Sequence, residues 1–255
     1  MSHGLVVVAL ATGAAGCGLV GFDAGAGAGG DGPGPGEDGA PAIDAAVSAT
    51  FFDPFERPDS IALDNGWIEQ SPEVFTLAGG QVVRGVAATD WTRNFVHRSA
   101  GEDRRDLEVS IEFEVLDVTS APLDWPQLVV RGRPATFDGY YLWIEEGPGP
   151  SARPLHLARK GAAESWWTAL ATTTVPSATV GQRFRLRLSV AGASPVGLVG
   201  SYERFDGGSW TEVVTVQATD DSADAITSAG TWGFGGHYGS AAGPYRYDNF
   251  AMQAP

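Results

Sequence analysis

The sequence predicts an all-β protein: a two-sheet antiparallel jelly-roll sandwich of about a dozen strands, preceded by a disordered tail. Three observations carry this reading. Apolar residues recur with period two over short runs, turn residues separate those runs at intervals of about ten, and no window of useful length has a helical period. The composition agrees, since 35 Gly and 16 Pro in 255 residues suit many turns, while 8 Trp, 12 Phe and 6 Tyr suit a packed core.

The clearest strand is Leu107 to Leu116, where Val109, Ile111, Phe113 and Val115 point one way and Glu108, Ser110, Glu112 and Glu114 the other. Phe184, Leu186, Leu188 and Val190 repeat the pattern, with Arg183, Arg185, Arg187 and Ser189 outward. Shorter runs before the middle of the chain are Phe51 to Phe55, Val74 to Leu77, Gln81 to Arg84, Asn94 to His97, Gln127 to Arg131 and Tyr140 to Glu145. Later runs are Leu155 to Arg159, Trp166 to Leu170, Val196 to Tyr202, Thr211 to Val216, Thr231 to Gly236 and Tyr247 to Met252. Ala78-Gly79-Gly80 and Asp206-Gly207-Gly208 read as hairpin turns. With no internal linker, residues 49–255 make one domain.

The amino end reads as an address. Residues 5 to 12 are an apolar run too short to span a bilayer as a helix. Ala14-Ala15-Gly16-Cys17 follows, and Cys17 is the only cysteine. The run and the small residues before the cysteine resemble the signal and lipobox of bacterial lipoproteins, although no Lys or Arg precedes Arg57. That resemblance implies a signal peptide over 1–16 and lipidation at Cys17. The protein would then be exported and held by its lipid on a bacterial membrane, the outer membrane or the cell surface. From Gly18 to Val47, 20 of 30 residues are Gly, Ala or Pro. Such a stretch cannot bury enough apolar surface to order itself, so residues 17–48 are expected to be a tether, with a reach of about 30 Å.

Charge excludes one class of partner. With 16 basic and 31 acidic residues the net charge is −15, so nucleic acid is not expected to bind. A single cysteine excludes an intrachain disulfide and a cysteine-rich zinc site.

Several segments, in order, resemble the concanavalin A-like lectin/glucanase superfamily, and within it laminin-G-like domains of bacterial surface proteins. They are Phe51-Phe52-Asp53-Pro54-Phe55, Asp64-Asn65-Gly66-Trp67, Leu77 to Val82, Gly139 to Ile144, Phe184 to Leu188, Gly233 to Gly236 and Tyr247-Asp248-Asn249-Phe250. The resemblance implies two sheets, one concave, with the first and last strands adjacent.

It also implies three kinds of site. Glucanases of the superfamily use two carboxylates in a Glu-x-Asp-x-x-Glu strand. The nearest match is Glu112-Phe113-Glu114-Val115-Leu116-Asp117, with the later residue types exchanged. A solvated face paired with Arg183, Arg185 and Arg187 is the better reading, so no catalytic residue is assigned. Sugar binding, the commonest non-catalytic use, needs flat rings and polar groups. The candidates are Trp125, Tyr141, Trp143, Trp166 and Trp167, with Arg131 and Arg133 as donors and an exposed aromatic expected beside Arg131. Tyr141, Trp143 and Glu145 share a face opposite Tyr140, Leu142 and Ile144, the set assigned to the core. Trp166 and Trp167, consecutive in a predicted strand, should point to opposite sides. Relatives often carry a structural calcium, for which Asp53 and Asp248 are the candidate ligands, with Asp64 and Asn249 assisting. The alternative is that these residues cap turns. The leading expectation is a non-catalytic surface lipoprotein that binds carbohydrate or a glycosylated surface. An adhesion or scaffold module is the alternative, followed by a glycoside hydrolase.

Overall fold

The computed structural model describes residues 50–70, 72, 74–84, 95–118, 126–145, 152–162, 164, 166–236 and 245–254. The expected signal, the expected tether, Cys17 and Trp125 lie outside the described residues. Among those described, the first strands are β1 (Thr50–Asp53), β2 (Trp67–Glu69), β3 (Phe75–Ala78), β4 (Gln81–Arg84) and β5 (Phe95–Arg98). A 3-10 turn over Ala100–Glu102 precedes β6 (Leu107–Val115), β7 (Gln127–Arg133), β8 (Asp138–Ile144), β9 (Arg153–Lys160) and β10 (Thr168–Val175). The last are β11 (Arg183–Ala191), β12 (Val196–Asp206), β13 (Ser209–Asp220), β14 (Thr231–Gly235) and β15 (Tyr245–Gln253).

They form two antiparallel sheets. The eight-stranded sheet runs β13-β12-β11-β6-β15-β4-β3, with β1 also paired to β15. The seven-stranded sheet runs β10-β9-β8-β7-β14-β5-β2. Thr50 lies opposite Gln253 and Asp53 opposite Phe250, so the first and last strands are neighbours, as expected.

Alternation builds the core. In β6, Leu107, Val109, Ile111, Phe113 and Val115 are buried and the residues between them face out. They meet Leu128, Val130, Tyr140, Leu142 and Leu157 from the other sheet. Each large side chain removed from water contributes about 1.5–3 kcal/mol.

Two strands break the alternation with a bulge. In β15, Tyr245 and Tyr247 point inward, but so do Phe250 and Met252. The register shifts between Asp248 and Ala251, where Asn249 takes a left-handed φ of 47°. In β7 the shift falls between Val130 and Arg133, with Arg131 at φ 51°. The expected strand over Trp166 to Leu170 begins instead at Thr168 and continues through a β-branched run, Thr172-Thr173-Thr174-Val175.

The seam between the sheets is closed by a buried carboxylate. Asp53 accepts hydrogen bonds from Phe55 N (2.8 Å), Arg57 Nη1 (2.7 Å) and Nη2 (3.1 Å), Asn65 Nδ2 (3.1 Å) and Trp67 Nε1 (2.7 Å). Burial alone would raise its pKa, but these donors hold it below the usual carboxylate range. The Trp67 ring then meets Phe250 at 5.0 Å, Phe234 at 5.3 Å and Trp232 at 6.1 Å. Arg98 lies over Phe51 and Trp67, paired with Glu102, and leaves no room for a side chain at Gly66. Removing one partner of a buried pair strands the other, so Asp53→Ala is expected to lower stability by about 3–5 kcal/mol. Urea unfolding checks this as a drop in midpoint at unchanged slope.

Candidate functional site

The two outward faces differ in chemistry. On the eight-stranded sheet, Arg183 reaches Glu112 at 2.8 Å, Arg246 reaches Glu114 at 3.3 Å and Arg187 pairs with Glu108. Arg185 and Arg187 both reach Glu203, and Asn249 donates to Glu112 at 3.0 Å. Glu112 and Glu114 are therefore held in ion pairs by the arginines of neighbouring strands, the arrangement the alternation suggests, and Asp117 lies beyond the end of β6.

The outward face of the seven-stranded sheet is aromatic. One cross-strand row reads Thr172, His156, Trp143, Gln127, Gly235 and Phe95 from β10 to β5. The next reads Ala158, Tyr141, Val129, Gly233, His97 and Ile68 from β9 to β2. Gly233 is required there, because a Cβ would lie 2.0 Å from Val96 O of β5. Phe95, Val129, Tyr141, Trp143 and Ala158 form a cluster separate from the main core, with Trp167 packed on it.

Rings cover this cluster in sequence. Trp143 stacks on His156 at 5.0 Å and meets Trp167 at 5.6 Å. Trp167 also meets Tyr141 edge-on at 6.1 Å, and Trp166 stands edge-on to Trp167 at 4.9 Å. Tyr141 and Trp143 are buried, at 3 % and 7 % exposed, whereas Trp166 is 61 % exposed. Polar groups rim the rings: His156 Nε2 lies 2.9 Å from Glu145 Oε2, and its Nδ1 lies 3.2 Å from Thr172 Oγ1.

The loop carrying both tryptophans is pinned. Arg159 donates to Glu164 Oε1 at 2.8 Å and to Asp220, while Thr168 Oγ1 donates to Glu164 at 2.7 Å. Lys160 Nζ donates to the Glu164 carbonyl at 3.2 Å. Partial burial would raise the Glu164 carboxyl, but Arg159, Thr168 and the Gly161 amide bring it down to about 2. Asp220 is likewise lowered: burial raises it, and Ser222, Tyr140 and Arg159 more than offset that.

Several expected site residues stand elsewhere. Tyr140, Leu142 and Ile144 do face the core, which leaves Tyr141 and Trp143 on the outward face, but under cover. Trp166 and Trp167 do not point to opposite sides of a strand, because both precede β10, and Trp167 joins the outward cluster. Arg131 is not a ligand donor. The bulge turns it inward, fully buried, where it donates to the carbonyls of Arg105 (2.7 Å), Ile226 (2.6 Å) and Gly192 (2.5 Å) and to Asp106 Oδ1 (3.2 Å). Among the described residues the ring beside it is Tyr140, buried in the core rather than exposed.

Asp53 and Asp248, the expected calcium ligands, are set apart by the strand pairing. Asp53 pairs with inward Phe250, whereas Asp248 pairs with outward Glu112, so the β15 bulge puts them on opposite faces. Arg57 occupies the place beside Asp53 where a cation would sit, and Asn65, not Asp64, donates to it. Asn249 faces Glu112. Of the rim groups, Glu145 was placed on the face of Tyr141 and Trp143 by the sequence, whereas His156 and Thr172 were not read as site residues. Their signal was present as the outward positions of β9 and the strands flanking it.

No protein-family model matches the chain, and no curated protein does. Solved structures do. A crystallised variant of the GH43 protein BlXynB from Bacillus licheniformis aligns over 80% of this chain, with TM-score 0.52 and 17% identity; the chain spans only 39% of that protein. The CBM2 module of the evolved Dit of Lactobacillus casei BL23 phage J-1 aligns over 81% of this chain and 96% of its own, with TM-score 0.54 and 10% identity. The exoplasmic/lumenal domain of VIP36, in its Ca2+/Man3GlcNAc-bound form, aligns over 73% and 83%, with TM-score 0.52 and 12% identity. At such identities the likeness shows the fold, a jelly-roll-like sandwich.

The pinned loop makes a prediction for acid. A carboxyl lowered on folding contributes stability that is fully present above its ordinary value and lost as pH falls through its folded value. For Glu164 that window runs from 4.5 down to about 2. Thermal unfolding from pH 7 to pH 2 is expected to show declining stability across it, and Glu164→Gln to make the decline shallower while lowering stability at neutral pH.

Proposed function

We propose that the chain is a non-catalytic carbohydrate-binding module of the concanavalin A-like kind, carried on a bacterial surface by a lipid at Cys17. The observation that carries the binding reading is Trp166, exposed on an aromatic cluster that Tyr141, Trp143 and Trp167 already floor. A sugar presents an apolar C–H face that stacks on an indole, and its hydroxyls need polar groups beside the ring. Glu145, His156 and Thr172 are the groups at the rim. The loop is fixed by Arg159 and Lys160, which reduces the ordering cost of binding. That VIP36 was crystallised with Man3GlcNAc on a similar fold supports the reading. Glu112 and Glu114, the nearest match to a hydrolytic carboxylate pair, are locked by arginines on the opposite outward face.

A glycan array probed with the full chain, with and without chelator, tests this. Binding to a saccharide is expected, weakened about five- to tenfold by Trp166→Ala, because a ring contact contributes about 1 kcal/mol. Since Asp53 and Asp248 stand on opposite faces, chelator should leave binding unchanged. A blank array from folded protein, or a Trp166→Ala variant that binds as well, sinks the binding reading.

The anchor rests on the apolar run and the small residues before Cys17. Cys17→Ser is expected to move the protein from the membrane fraction to the soluble fraction of the producing cell. Undiminished membrane attachment refutes the lipid.

A further inference from the structure

At the β5 end of the same outward face, a cavity of about 220 Å³ lies between β5, the 3-10 turn and the β7–β8 connection. Its polar lining is His97, Arg98, Asp103, Arg133 and Thr231, and its apolar wall is Pro134 and Ala135. Gln70 Nε2 donates to Pro134 O at 3.3 Å, tying the connection to the strand beside His97.

Two of these groups hold acceptors to which no described residue donates. His97 is only 7 % exposed, and its Nδ1 lies 2.8 Å from Arg98 O. A carbonyl accepts only, so Nδ1 carries the proton. Burial pushes the imidazole pKa down, with Arg98 O and Asp103 opposing, so the ring is neutral and Nε2 is a bare acceptor. No described residue donates to it. The Asp103 carboxylate, raised by partial desolvation against the pull of Arg104, Arg133 and His97, also receives no hydrogen bond among the described residues. Both acceptors line the cavity, so a ligand entering it would find them ready to take its hydroxyl protons. Thr231 Oγ1 donates to Arg98 O at 2.6 Å, and Arg133 spends one N–H on Ser228, leaving others for a ligand.

The lining specifies the occupant. Asp103 and Arg133 offset each other, and Arg98 is neutralised by Glu102, so an uncharged molecule fits. Acceptors predominate, which requires hydroxyl donors, and Arg133 offers N–H groups to an oxygen. The volume falls below the roughly 300 Å³ at which pockets for drug-sized ligands begin, which suits a single ring. We propose that this cavity is a second saccharide subsite, taking one uncharged, hydroxyl-rich ring on His97 Nε2, Asp103 and Arg133. It rests on the carbohydrate reading above. His97 and Tyr141 stand three strand spacings apart in one row, about 14 Å, so the subsite and the tryptophan platform lie along one face.

The test is site-resolved. The full chain is titrated with galactose, mannose and xylose at millimolar concentration, while NMR follows the His97 ring C–H and the Trp166 indole N–H. A saturable shift at His97, weakened at least about tenfold by Asp103→Asn, is the expected result. Asp103 is exposed and makes no side-chain hydrogen bond among the described residues, so that variant should fold, and His97→Gln provides the second check. Shifts at Trp166 alone would leave the platform standing and overturn the subsite. Shifts at His97 alone would support the subsite and remove the platform. No shift at either overturns both, and a His97 response to zinc ions but to no sugar replaces the saccharide with a metal.

Discussion

The sandwich depends on satisfying a buried carboxylate at its first strand. Asp53 sits where the chain leaves the eight-stranded sheet, and a charge in that position is tolerated only if donors surround it. Arg57, Asn65, the Phe55 amide and the Trp67 indole supply them. Fixing Trp67 in turn fixes the ring about which Phe250, Phe234 and Trp232 pack, so one anion sets the seam between two sheets. The same rule recurs at two other places. Arg131 is enclosed by three carbonyls and a carboxylate, and Asp220 is held by Tyr140, Arg159 and Ser222. Residues chosen for their chemical reach are thus consumed by the architecture.

What remains available is decided by the asymmetry between the two outward faces. Glutamates and arginines of β6, β11, β12 and β15 neutralise one another across strands, leaving few unsatisfied groups on that side. The other face carries rings, and its cover is a loop with its own ion pair at Arg159 and Glu164. An exposed indole on a rigid mount differs from an exposed indole on a loose loop, because little freedom is lost when a ligand arrives.

Period-two alternation made β6, β11 and the inward set Tyr140, Leu142 and Ile144 legible before any coordinates. The adjacency of the first strand and the last came from the resemblance, not from the alternation. Two of its failures share one cause. A bulge inserts one residue and exchanges the faces beyond it. That exchange turned Arg131 inward and set Asp248 apart from Asp53; Asn249 is a residue type that tolerates the left-handed region, but Arg131 carries no such mark. Trp166 and Trp167 were misassigned because two adjacent aromatics look like strand, whereas ion pairs through Glu164 hold them ahead of it. β2, three residues long, is too short for any period to show.

The pairing of β1 with β15 has a mechanical consequence. Tension arriving along the chain from the amino-terminal side would reach Thr50 first and meet a short antiparallel ladder of four residue pairs. Such a ladder loaded at its end opens rung by rung, each rung yielding to a small force. The fourth rung is Asp53, where side-chain and main-chain bonds to four residues must fail together. The strand therefore behaves as a fuse with a stop: it peels under light load, lengthens the chain by a few residues, and halts at the carboxylate before the other strands of either sheet are disturbed.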